Sequence, residues 1–261
     1  MNAGMFPSTG SAPCDSNMSR LKFCANISWL YTELPDLTQR ICAAASDGFK
    51  AVEAAWPYDT KIEHIQRARN DNGVKVVLIN TPPGDMKAGD LGLAAVPGRE
   101  AEFRQGLQLA LKYANALDCK RIHLMAGRVP VGSDRAEVAS EMESTFVQNL
   151  QYAADVLMKE GVTGLIEPIN TRITDPRYFL DSPHHAAAVI EKVGKPNIKL
   201  QMIAQVPGRN EPDSAGELKY QYLFSLLESM GYTEYIGCEY KPLGSTSESL
   251  GWFRDYMTAS K

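Results

Sequence analysis

The chain has 261 residues, 44% of them hydrophobic and 22% charged, with a formal net charge of −4. This is the composition of a globular protein of one large α/β domain or two small ones. The lack of a basic patch argues against nucleic acid as a partner. No apolar run approaches the roughly 18 residues of a membrane span, so no membrane role is expected.

Residues 1–18 are rich in Ser, Pro, Gly and Asn and hold no apolar run long enough for a signal peptide. They read as a disordered tail ahead of a single domain over 19–261. Leu21–Ile27 reads as a first strand, and Leu34–Ser46 has helical spacing up to the Asp47-Gly48 stop. Phe49–Ala54 is a second strand carrying Glu53, Ile62–Asn72 a helix closed by Gly73, and Val74–Ile79 a third strand ending at Asn80. A long loop follows, from Thr81 to Pro97, and loops of that length in a compact domain are usually functional. Then come a helix at Arg99–Leu117, a strand at Arg121–Met125, a helix at Glu137–Glu160 and a short apolar strand at Gly164–Ile166. The C-terminal third reads as a helix at Pro183–Val193, a strand-like run at Ile198–Val206, a helix at Tyr220–Met230, a strand at Tyr235–Cys238 and a helix at Ser247–Met257.

Regular alternation of strand and helix with no break in composition predicts a parallel sheet with crossover helices. Each polar cluster falls just after a strand, which points to an α/β fold of the TIM-type (β/α) barrel kind, with its site on the carboxyl-end face. A doubly wound sheet is the runner-up. It calls for a glycine-rich phosphate turn after the first strand, and Asn26-Ile27-Ser28-Trp29 is not one. The count gives seven strands where a closed barrel of this type has eight.

The densest functional signal is residues 164–181. Glu167 directly follows the apolar Gly164-Leu165-Ile166, and Glu239 closes Ile236-Gly237-Cys238 in the same manner, each with a proline within three residues. A carboxylate at the end of an apolar strand has to face a partner, a metal or a cleft. Two such acids converging on one pocket are what an enzyme uses to move a proton between neighbouring carbons. The plain alternative is a pair of salt-bridged surface acids. Asn170, Thr171, Arg172 and Asp175 form a polar loop suited to holding a substrate. His123, within Arg-Ile-His-Leu-Met, is a site or core histidine, and Glu53 and His123 are candidates to line the pocket. Trp29, Trp56 and Phe179 are candidates to cover it, although packing in the core is the commoner use of such aromatics. The five cysteines include no CxxC pair, and most sit in apolar runs, as expected in a reducing, cytoplasmic compartment.

Taken together, Leu-Ile-Asn-Thr-Pro-Pro-Gly (78–84), Val-Pro-Gly-Arg (96–99), Ile-His-Leu-Met-Ala-Gly (122–127), Ile-Glu-Pro-Ile-Asn-Thr-Arg-Ile-Thr-Asp-Pro (166–176) and Gly-Cys-Glu-Tyr-Lys-Pro (237–242) give the chain a specific resemblance. From about Met18 to Lys261 it resembles the hydroxypyruvate isomerase family of xylose-isomerase-like TIM barrels. One departure stands out. Leu200-Gln201-Met202 runs straight into Ile203-Ala204-Gln205-Val206-Pro207-Gly208-Arg209, where the family has a further strand-helix unit. This reads as a skipped exon or a gap in the gene prediction rather than gradual divergence, and with it goes the aspartate that, by the resemblance, would join Glu167 and Glu239 on a divalent metal. Gln201 is one residue out of step with the family's ligand-type Gln, and a one-residue shift turns a strand side chain to the other face.

The resemblance implies interconversion of hydroxypyruvate and 2-hydroxy-3-oxopropanoate through an enediol, with Glu167 and Glu239 as the proton-transferring acids. A Mg²⁺ or Mn²⁺ cofactor on the same two glutamates is also implied. The substrate is then a small 2-oxo acid, whose carboxylate suits a two-pronged arginine: Arg99, Arg209 or Arg172. Other readings are a sugar epimerase or ketose isomerase of the same fold, an inactive isoform, and an endonuclease-type metal hydrolase. The missing unit leads to the expectation of a chain impaired in folding and activity.

Overall fold

The computed structural model describes residues 21–201, 210–215 and 218–258. The N-terminal tail, Arg209 and the run from Met202 to Val206 lie outside the described residues. Seven parallel strands form one sheet in the order β6-β5-β4-β3-β2-β1-β7. They are β1 (Lys22–Asn26), β2 (Ala51–Ala54), β3 (Lys75–Asn80), β4 (Arg121–His123), β5 (Thr163–Ile166), β6 (Ile198–Leu200) and β7 (Tyr235–Cys238). Neighbours in sequence are neighbours in the sheet, and β7 returns to pair with β1. That return is barrel order, whereas a doubly wound sheet would reverse direction about a central strand. Among the described residues β6 and β7 are not paired with each other, which leaves a seam between these two strands.

The helices follow local signals. Helix α1 (Leu37–Ser46) starts three residues later than its apolar spacing suggests, because Asp36 takes an extended conformation and accepts a hydrogen bond from the Thr38 N–H. Asp134 caps α4 (Arg135–Lys159) in the same manner. Ser182 and Pro183 open α5 (Pro183–Val193), which Gly194 closes at φ 62°. The remaining helices are α2 (Ile62–Asp71), α3 (Glu100–Ala116), α6 (Tyr220–Ser229) and α7 (Gly251–Thr258). Phe23 of β1 packs edge-on against Phe224, Trp252, Phe253 and Tyr256 at centroid distances of 5.1–6.0 Å, which docks α6 and α7 on the sheet. The long loop is anchored on the exit of β4, where Ala94 and Ala95 donate to the carbonyls of Met125 and Ala126.

Strand β6 is three residues long, and Leu200 is 40% exposed. Tyr222, Leu226 and Met230, four residues apart along and just past α6, are also exposed. A cavity of about 220 Å³ is lined by residues from all seven strands, among them Cys24, Glu53, Arg121 and Tyr235, and by Gln201 and Glu234. An Arg121–Glu234 ion pair spans from the start of β4 to the turn before β7. No described helix is long and apolar enough to cross a membrane.

Candidate active site

Polar side chains stand at or near the carboxyl ends of five strands. Asn26 ends β1, Glu53 lies in β2, His123 ends β4, Glu167 follows β5 and Glu239 follows β7. Asn26, Glu53, His123 and Glu239 are buried. Asn26 is the sheet partner of Glu53, and Ala25 is the partner of Cys238, so Glu53, Asn26 and Glu239 form a row across three adjacent strands. Asn26 donates from Nδ2 to Glu239 Oε2 at 3.0 Å. The register of β2 with β3 shifts between Val52 and Glu53, where Val77 of β3 is the extra residue. The Glu53 side chain reaches across β1 to Gly237, where an added Cβ would stand 2.5 Å from Glu53 Oε1.

Burial, and next the charge of Glu239, push the Glu53 carboxyl up to about 8, so it is protonated at neutral pH. Cys24 Sγ lies 3.5 Å from Glu53 Oε2, and burial raises that thiol well above its ordinary range. At the other side of the site His123 Nδ1 is 3.9 Å from Glu167 Oε2. Burial lowers His123 to about 4, so the ring is neutral and this contact is a dipole against a carboxylate rather than an ion pair.

Other sequence candidates have different duties. Arg99 stands just before α3 with its guanidinium on Asp90 (3.0 Å) and Glu102 (2.7 Å), so its charge is already met. Asp175 is buried and bonded to Arg128 at 2.6 Å. Asn170 Oδ1 accepts from the backbone N–H groups of Arg172 and Ile173, so Asn170 shapes the loop. The Arg172 side chain is exposed above that turn. Phe179 is buried against Phe146 and His185 and is a core residue rather than a cover for the pocket.

A divalent ion would need more than two carboxylates. Among the described residues no group of three or more His, Cys, Asp or Glu side chains could hold an ion. Gln201 Oε1 is buried without a hydrogen-bond partner, and the residue lines the cavity beside β6. Sequence reasoning singles out Glu167 and Glu239 but passes over Asn26, although the same signal marks it: a polar residue closing an apolar strand.

A family model described as a xylose isomerase-like TIM barrel matches residues 41–205. A Danio rerio protein provisionally named hydroxypyruvate isomerase is 59% identical, over 92% of this chain and 96% of its own length. A 2-oxo-tetronate isomerase of Cupriavidus necator is 41% identical over 90% and 98% of the two chains. A crystal structure from Brucella melitensis, described as an AP endonuclease of family 2, superposes with a TM-score of 0.83 at 40% identity, covering 90% of this chain and 99% of that one. The alignment with the Danio rerio protein runs over 266 positions, more than the 261 residues present, yet takes in 92% of the chain, about 240 residues. Some 26 positions of that relative thus face a gap, about what one strand and its helix occupy.

Proposed function

Because the chain belongs to the hydroxypyruvate isomerase family of xylose isomerase-like TIM barrels, we propose that it interconverts hydroxypyruvate and 2-hydroxy-3-oxopropanoate. One carboxylate of the Glu167/Glu239 pair takes a proton from C3, the electron pair forms the C2–C3 enediol, and the other carboxyl returns a proton to C2. A proton moves from the C3 oxygen to the C2 oxygen in the same passage. General acid–base steps of this kind contribute roughly 10²–10⁴-fold each. The observation that carries the reading is that Glu167, Glu239, His123 and Asn26 all stand at the carboxyl ends of parallel strands of one sheet. His123, neutral and with Nε2 buried without a hydrogen-bond partner, is suited to hydrogen-bond a substrate oxygen without adding charge. Arg209 or Arg172 clamps the substrate carboxylate, since Arg99 is committed to Asp90 and Glu102.

The seam limits this chain. A barrel ties strand number, tilt and shear together, and unpaired edges at β6 and β7 cost stability and loosen the site. Turnover is accordingly well below that of a chain carrying the extra 26 or so positions.

A second reading is favoured by the Cupriavidus necator relative: the same carbonyl shift on a 2-oxo-tetronate, one carbon longer. DNA cleavage is disfavoured by the net charge of −4 and the lack of a three-ligand group among the described residues. Turnover on hydroxypyruvate, 2-oxo-tetronate and ketohexoses, measured side by side, decides between the readings. Activity confined to ketohexoses would overturn both isomerase assignments.

A further inference from the structure

We propose that Asn26 is the positioning residue for Glu239: its amide, locked by the turn that follows β1, holds the Glu239 carboxylate at one oxygen and so fixes the orientation of that carboxylate. The inference deepens the isomerase reading and rests on it for its catalytic consequence.

Asn26 is pinned from every side. Its backbone carbonyl accepts from the N–H groups of Trp29 (3.1 Å) and Leu30 (2.8 Å). Its Oδ1 accepts from the Ser28 N–H at 3.1 Å, an arrangement in which an Asx side chain is fixed by the turn it starts. With Oδ1 so occupied, the amide has one orientation, and Nδ2 is directed at Glu239 Oε2, 3.0 Å away. Both residues are buried, so the bond is a charge-assisted one shielded from water. The sheet register adds the third member: Glu53 faces Asn26 from β2 on the other side. The amide thus stands between two carboxyls, and its hydrogen bond partly offsets the rise of Glu53. Gly237 leaves the space through which Glu53 reaches this row. Strand pairing, turn geometry and a missing side chain all converge on one orientation of Glu239, which a residue merely filling space does not require.

The test is a double-mutant cycle of Asn26→Ala and Glu239→Ala in the full chain, read by urea unfolding and by turnover of hydroxypyruvate. A charge-assisted buried hydrogen bond predicts that Asn26→Ala lowers kcat about 10–100-fold, with KM within about twofold, the pattern of an interaction felt in the transition state. The coupling is read from the unfolding free energies, which are non-additive across the cycle, because Glu239→Ala leaves no turnover in which to read a second effect. Additive unfolding energies would overturn the proposal whether or not the chain turns over hydroxypyruvate. An active chain whose kcat is unmoved by Asn26→Ala would overturn it too. A wild-type chain without turnover that still shows non-additive unfolding would sink the isomerase reading while leaving the Asn26–Glu239 contact standing. Should Asn26→Ala fail to fold, Asn26→Ser, which keeps a short hydrogen-bonding side chain, replaces it in the same cycle.

Discussion

Replacing Glu53 by Gln should change the pH dependence of stability more than any other single substitution near the site. In the unfolded chain this carboxyl ionises near its ordinary value of 4.5, whereas burial and Glu239 hold it up to about 8 in the folded protein. Between those two values the folded state keeps a proton that the unfolded state has lost, so folding is progressively weakened as pH rises. Each unit of difference is worth about 1.4 kcal/mol, which makes the loss between pH 5 and pH 8 on the order of 4 kcal/mol. Gln has the shape of the protonated acid and cannot ionise. Glu53→Gln should therefore match the wild type near pH 5 and exceed it by several kcal/mol at pH 8. Urea unfolding at half-unit pH steps reads this directly as a midpoint difference that grows to about 1–2 M. A difference that stays flat from pH 5 to pH 8 would refute the account of Glu53 as a buried neutral acid.

His123 works in the opposite direction. Its folded value of about 4 lies below the ordinary 6.5, so it contributes stability that is present above pH 6.5 and is lost as pH falls toward 4; His123→Gln should flatten that acid limb in thermal melts, and an unchanged limb would contradict its burial as the neutral ring. Gly237→Ala places a methyl 2.5 Å from Glu53 Oε1 and should cost about 1–3 kcal/mol, with much of the loss relieved in the Gly237→Ala/Glu53→Ala double variant; full additivity would deny the contact. Arg209→Lys should raise KM for the substrate more than Arg99→Lys, because Arg99 already serves Asp90 and Glu102; near-wild-type KM in both would move the carboxylate clamp to Arg172.

The strand-helix alternation, the seven-strand count and the setting of Glu167 and Glu239 were legible because each rests on local pattern: apolar period, Gly and Pro stops, and a carboxylate closing an apolar run. Seven strands, with β7 returning to β1, agree with the barrel reading. What the pattern could not supply was pairing across the sheet. That Asn26 stands between Glu53 and Glu239 follows from the register of β1 with β2 and β7, strands separated by over 200 residues in one case. Arg99 looked like a clamp because a Val-Pro-Gly-Arg loop does not reveal that Asp90 folds back onto it. Asp175 and Asn170 looked like substrate residues for the same reason, since their partners are Arg128 and the backbone of their own turn. The helix starting at Leu37 rather than Leu34 reflects the extended conformation of Asp36, a cap that outweighs the periodicity before it.

The central claim, proton transfer by Glu167 and Glu239, is tested most directly by following hydroxypyruvate in deuterium oxide by NMR. The chain is compared with a form into which the roughly 26 additional positions of the Danio rerio relative have been grafted. The account predicts formation of 2-hydroxy-3-oxopropanoate with enzyme-dependent deuterium entry at the reacting carbons. The rate in the grafted form should exceed that of the present chain by more than about tenfold, in line with one general acid–base contribution, and both product and exchange should disappear in Glu167→Gln and in Glu239→Gln. Undiminished exchange in either variant would remove that glutamate from the mechanism, and equal rates in the two forms would contradict the cost assigned to the seam.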